Sequence, residues 1–171
     1  MDLRSVPELL SALIDSVIEV TNADKGFLIL TDSKGPPTVA VARNLNHENL
    51  SDGVRQLSDS IIRRVIESRK PIIVRDALHD EQFRGSESVM NLKLCSVMCA
   101  PLIAQGELLG ILYVGNDNVV NLFEERTLDV LTIFAGQASL ILQNALLLDS
   151  LKNDFDNLKH KLEQSRFGDI I

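Results

Sequence analysis

The chain predicts an α+β domain, and three features of its 171 residues carry that expectation. Segments near 6–22 and 58–69 repeat apolar residues at helical spacing. Five short apolar runs, GFLILTD, TVAVAR, IIV, LCSVMCAPLI and ELLGILYVG, have strand length and sit between turn residues or polar loops. The last third, from Phe123 to Gln164, contains no proline and reads as one long helix. The order is therefore helix, hairpin, helix, strand, loop, hairpin, long helix.

Each element has a local reason. Ser5-Val6-Pro7-Glu8 is a capping-box pattern with proline in the first turn, and Leu9, Leu10, Leu13, Ile14, Val17 and Ile18 follow on one wide face. Asp32 to Gly35 is a turn between two strands. Asn44 to Gly53 is polar and reads as a loop. Ser58 caps a second helix carrying Ile61, Ile62, Val65 and Ile66, which Lys70-Pro71 stops, because a residue before proline leaves the helical region. Ile72 to Val74 is a short strand, Asp76 to Gly85 a charged loop, and Ser86 to Asn91 one further helical turn. Ala104-Gln105-Gly106 joins the last two strands into a hairpin buried on both faces. Pro101 argues for an edge, a bulge or a strand end at that point.

Asn121 and Glu124 form a second capping pattern ahead of the long helix. Leu128, Leu131, Ala135, Ala138, Leu142 and Ala145 make a stripe suited to packing on the sheet. A second stripe has heptad spacing: Leu148, Phe155 and Leu162 are seven apart, as are Leu151 and Leu158. Extended backward, the frame takes in Phe134, Gln137, Ile141 and Asn144. Two stripes predict a helix that serves its own domain with one face and a partner with the other. Together with Leu10, Ile14 and Val17 of the first helix, residues Phe134, Ile141, Asn144, Leu148, Leu151, Phe155, Leu158 and Leu162 are the expected homodimer interface. A helix packed only within its own chain, with Gln137 and Asn144 facing solvent, is the alternative.

Composition limits the function classes. Lys and Arg number 17 against 24 Asp and Glu, for a net charge of −7, and a field of that sign repels phosphate backbones. No direct nucleic-acid contact is expected. The N-terminal helix carries charges throughout and lacks signal-peptide architecture, and no run reaches the roughly 18 apolar residues of a membrane span. Two cysteines fit a reducing compartment, so a cytoplasmic location and no membrane partner are expected.

Cys95 and Cys99 look like a motif but fall on one strand face, about 13 Å apart. A disulfide needs α-carbons within about 7 Å, and one metal at about 2.3 Å from each sulfur does not bridge the gap. The pair is expected to be inert. There is no phosphate loop and no G-x-S-x-G elbow. His47, His79 and His160 are scattered through polar segments. His79 with Asp76 and Asp80 is a thin pattern for a metal, and neither a metal nor a covalent cofactor is expected.

The segments ADKGFLIL, SIIRRVIESRKPIIVRDA, SVMCAPLIAQGELLGILYVGND and FEERTLDVLTIFAGQASLILQNALL, in this order, resemble a GAF domain over about residues 5 to 150. The resemblance implies an antiparallel sheet of five or six strands with helices 6–22 and 123–149 on one face. The other face and the 76–92 segment would enclose a small-molecule pocket. Asp76, Asp80, Phe83, Arg84, Ser86, Ser88, Ser96, Met98 and Asn116 are the pocket candidates on that reading, and the ligand is an unidentified small molecule. Asn116, Phe123, Glu124 and Glu125 match part of the cyclic-nucleotide-binding pattern, but Asp117 stands where lysine belongs. Neither cysteine falls where chromophore-attaching or iron-bearing relatives carry theirs. Some GAF-like proteins reduce free methionine sulfoxide through cysteines, which the spacing here fits poorly.

SRFGDII at 165–171 resembles the opening of the AAA+ ATPase module of sigma-54-dependent activators, a Phe-x-x-Ile-Ile-Gly pattern matched by Phe167, Ile170 and Ile171. The resulting expectation is a non-enzymatic sensory domain at 1–149, a coiled-coil signalling helix at 150–164, and at 165–171 the start of a truncated following domain. The partners implied are a second copy and the protein's own AAA+ and DNA-binding domains. A dimerising module without ligand is the alternative.

Overall fold

The computed structural model describes residues 6–32, 35–50, 57–77, 79, 95–120 and 122–169. Among these, helices α1 (Val6–Thr21), α2 (Asp59–Ser68) and α3 (Glu125–Asp169) flank strands β1 (Lys25–Asp32), β2 (Gly35–Asn44), β3 (Ile72–Val74), β4 (Ser96–Ala104) and β5 (Glu107–Asn116). The five strands form one sheet in the order β2-β1-β5-β4-β3, and every neighbouring pair is antiparallel. The α+β order matches the sequence reading.

The sheet is the middle of three layers, so β4 and β5 are apolar on both faces. On one face α1 and α3 pack through Leu10, Ile14, Val17, Leu131, Ala135, Ala138 and Leu142 onto Met98, Ala100, Leu102, Leu112 and Val114. On the other, α2 packs through Ile61, Ile62 and Val65 onto Phe27, Ile29, Val97, Cys99, Ile111 and Tyr113. Phe27 and Tyr113 meet edge to face, with ring centroids 5.6 Å apart.

Local chemistry sets the joints. Ser58 Oγ accepts from the Ile61 amide at 3.4 Å and caps α2. That helix ends at Ser68, ahead of Lys70-Pro71, because Arg69 turns left-handed (φ 55°) and donates its amide to the Val65 carbonyl. Gln105 and Gly106 both have positive φ, 53° and 79°, the backbone of a tight hairpin turn between β4 and β5. Pro101 pairs with Ile111 in the body of β4, but β3 reaches only Val97–Cys99, so the strand is already an edge on that side. Gly110 is a place where only glycine fits, because a Cβ there would lie 2.3 Å from the Ile29 carbonyl oxygen.

The long helix starts at Glu125, not at Phe123, which is fully buried ahead of it. The Glu124 carbonyl accepts the first helical bond, from Leu128, and Asn121 lies outside the described residues. The helix then runs 45 residues without a break, across the 149/150 and 164/165 positions. Part of it is long and apolar enough, by length and composition, to cross a bilayer, which the sequence reading does not count. Its stripe Leu131, Ala135, Ala138 and Leu142 is nevertheless buried against this domain's own sheet.

Candidate functional site

Strand alternation decides where the pocket candidates go. Odd positions of β4, Val97 and Cys99, face α2, so even positions face α1 and α3. Met98 is therefore a correction to the sequence expectation: it is fully buried beneath the terminal helices, not on the pocket face. Ser96 has the same parity. Its hydroxyl lies 2.9 Å from the Arg75 carbonyl and 2.7 Å from the Val119 carbonyl, so its one proton is shared within the fold. Asn116 is likewise occupied, with Oδ1 accepting from the Asn118 and Val119 amides at 2.8 Å each and Nδ2 donating to the Asn22 carbonyl. Asp76 is half-buried after β3 and pairs with His79 Nδ1 at 3.0 Å. Asp80, Phe83, Arg84, Ser86 and Ser88 lie outside the described residues.

Asp76 does belong to a polar group at one end of the sheet. Lys25, nearly buried at the start of β1, reaches Asp117 Oδ2 at 2.9 Å. Asp24 Oδ2 accepts from the Asp117 amide and from Asn118 Nδ2, both at 3.1 Å. Among the described residues, Asp24 Oδ1 and Asp76 Oδ1 are buried without a partner. Burial raises the Asp24 carboxyl above its ordinary range, partly offset by the Asp117 amide. No local spacing announces the Lys25–Asp117 pair, whose members are 92 positions apart.

The same surroundings govern the cysteines. Cys95 Sγ sits 3.2 Å from the Asp117 carbonyl, and burial, then the charges of Asp117, Asp76 and Asp24, raise its thiol pKa. Cys99 is fully buried and pushed up further by burial. Both are free. Neither environment favours a thiolate, the form that reacts or binds metal.

Two open grooves lie elsewhere. One of about 460 Å³ runs along Thr31, Ile66, Arg69 and Gly106–Leu109, where Arg69 Nη1 donates to the Gly106 carbonyl at 2.9 Å. A second, of about 370 Å³, lies between α1 and β2 beside Arg43, which forks onto Asp15 through Nε at 2.9 Å and Nη2 at 2.7 Å. His47 adds contacts of 3.1 Å to both Asp15 and Glu19. This loop-to-helix cluster escaped the sequence reading because His47 is an isolated histidine in a polar loop.

The expected interface divides in two. Leu10, Ile14 and Val17 are buried in the domain's own core, since the helical stripe that looked available covers the sheet. They are a correction. Phe134 and Ile141 are half-buried against the same core. Asn144 is exposed, and so are Leu148, Leu151, Phe155, Leu158 and Leu162, with Phe155 66% exposed. Ile133, Leu140 and Leu147 are exposed too, at 65%, 60% and 58%. The sequence reading missed them because α3 is apolar on nearly every side over this length.

Comparison with known proteins fits this architecture. A family model described as GAF domain matches residues 4–143. A curated relative, the hybrid signal transduction histidine kinase G of Dictyostelium discoideum, is 27% identical over 99 residues, 58% of this chain, and the chain spans only 3% of that protein's length. Among solved structures, the blue-light absorbing form of the Thermosynechococcus elongatus PixJ GAF domain superposes with a TM-score of 0.69 at 18% identity, covering 92% of this chain and 95% of that one. A type II free methionine-R-sulfoxide reductase from Thermoplasma acidophilum gives 0.65 at 14% identity, covering 84% and 96%. These likenesses at low identity concern the fold. With the three-layer sheet, the strand order and a family match over most of its length, the chain belongs to the GAF domain family, whose members are mostly sensory or regulatory modules of signalling proteins.

Proposed function

We propose that this domain is the regulatory, dimerising input module of a signalling protein. The carrying observation is α3: one stripe is buried in the domain, while an exposed apolar stripe continues past the body. A state set in the domain, by a small molecule or by a neighbouring segment, would bias how two such helices pack. Allostery of this kind needs a ligand that prefers one packing over the other. The histidine-kinase relative supports the signalling role. The finer assignment, a bacterial sigma-54-type AAA+ ATPase as the controlled output, rests on the resemblance of Phe167, Ile170 and Ile171. A cytoplasmic protein with no direct contact to nucleic acid or membrane belongs to the same reading.

Sedimentation equilibrium tests it. The chain should be a concentration-dependent dimer, and Leu158→Glu should weaken association at least tenfold, because a charge enters an apolar seam. A monomer at 100 µM would overturn the proposal.

The ligand-free alternative draws support from Ser96, Met98 and Asn116, whose side chains are all engaged inside the fold. Thermal-shift titration with cyclic nucleotides, purines and short carboxylic acids separates the two, since binding to the folded state raises the midpoint with ligand concentration. The thiol-reductase alternative is disfavoured by two thiols whose pKa values are both raised.

A further inference from the structure

The loop after β2 is fastened to α1 by a single ring. Its turn is built internally: Asn44 Oδ1 accepts from the Asn46 and Glu48 amides at 2.9 and 3.0 Å, and the His47 amide donates to the Asn44 carbonyl at 3.2 Å. Residues 45–49 are all exposed, Leu45 included, so apolar burial does little to hold them on the helix. Among the described residues, every polar contact from 45–49 to α1 comes from His47. It places Nδ1 3.1 Å from Asp15 Oδ2 and Nε2 3.1 Å from Glu19 Oε1. Asp15 and Glu19 are four residues apart on one face of α1, and they bracket the ring. His47 reaches them from a left-handed backbone (φ 60°), a conformation that a non-glycine residue adopts only at a cost.

An imidazole satisfies two carboxylates in this way only with a proton on each nitrogen. The neutral ring carries one N–H, so its other nitrogen would turn a lone pair toward a carboxylate oxygen 3.1 Å away. We propose that His47 is a proton-operated latch: charged, it holds residues 45–49 against α1, and neutral, it releases them. Among the described residues, the charged groups around the ring are Asp15 and Glu19 from α1 and Arg43 from β2, which forks onto Asp15. Glu48, in the loop itself, is engaged by Asn44 Nδ2 at 3.5 Å. With the ring charged, the two carboxylates of α1 meet two cations; loss of the proton leaves one negative charge uncompensated. Arg43 opposes the imidazolium, but it is committed to Asp15 and to Asn49 Oδ1, so it keeps the acceptor in place when the ring lets go. The same surroundings raise the His47 pKa, chiefly through the Asp15 hydrogen bond. By linkage, the latch is complete below about pH 6.5 and opens as pH climbs through the raised value. That range lies near neutrality, where histidine acts as a switch. Because α1 shares a sheet face with α3, the proton acts on the layer of the terminal helices.

The latch lies within one chain, so its test is independent of dimerisation. Carbon-detected magnetic resonance of the full chain, from about pH 5 to about pH 9, reads both the ring and the loop. His47 should titrate above the ordinary value of about 6.5, and the order parameters of the Cα–Hα vectors at 45–49 should fall from about 0.85 toward 0.6 along the same curve. Glu19→Gln should lower the His47 midpoint, and Asp15→Asn should lower it further. His47→Asn, which tolerates the left-handed backbone, should leave the loop equally mobile at both ends of the range. A His47 midpoint at or below about 6.5 overturns the proposal, and so does a loop that stays ordered once the ring is neutral. If Asp15→Asn fails to fold, Glu19→Gln decides alone, since that side chain is 64% exposed: an unchanged midpoint overturns the proposal.

Discussion

Gly110 shows how far a single residue constrains this sheet. Its Cβ-less face lies against the β1 backbone, so Gly110→Ala should destabilise the domain by about 1–3 kcal/mol, read from the urea midpoint. His47 carries a different expectation. The hydrogen bond to Asp15 raises its pKa, so its stabilising contribution is complete below about pH 6.5 and disappears as pH climbs through the higher folded value. Asp15, held low chiefly by the Arg43 hydrogen bond against burial, contributes above about pH 3.9 and is lost as pH falls through its lower folded value. His47→Asn keeps the left-handed backbone (φ 60°) tolerable. Its thermal midpoint should trail wild type near pH 5.5, and the gap should close as pH climbs through the raised folded pKa of His47; a gap that does not change with pH would refute the cluster's role. The inert spacing of the cysteines was legible from strand rise alone. Which face Met98 takes was not, because β4 and β5 are apolar on both sides and alternation gives parity without direction. Lys25–Asp117 is a product of topology that local spacing cannot reveal.

Elements were the most legible level. Periodicity gave α1, α2, β1 and the β4–β5 hairpin to within two residues, since each lies beside its own cap, turn or breaker, whereas β2 starts at Gly35, three residues ahead of the apolar run at Thr38, because Pro36 and Pro37 read as turn residues. The start of α3 slipped because Phe123 fits the helical spacing yet plugs the core. Which line of α3 faces outward was hidden for a related reason: between Leu128 and Leu148 apolar residues occur on every side. The outer part of the helix makes a separate prediction. Asn153→Pro removes one intrahelical bond and kinks the rod where its side chains are exposed. Far-UV and near-UV spectra of the body should be preserved, while dimer affinity measured by sedimentation falls at least tenfold.

For the whole molecule, the globular body and the outer helix should respond differently to concentration. Residues 151–164 are exposed, so a chain ending at residue 149 should keep cooperative unfolding with a midpoint independent of protein concentration. The full chain's midpoint should rise with concentration, because association favours the folded state; coincident, concentration-independent curves would contradict this. The family match confirms the overall architecture that the sequence implied, whereas the ligand region depended on residues whose placement strand parity alone could not supply.

The length of α3 also has a mechanical meaning. From Leu146 to Asp169 the helix extends about 36 Å beyond its last contacts with the sheet, at ~1.5 Å per residue. A tilt of about 10° where Ala145 leaves the core would sweep the distal end sideways by about 6 Å, more than one helical turn's rise. A small repacking under Leu131 and Ala138 would thus be geared up along the rod into a displacement of several ångströms at Asp169.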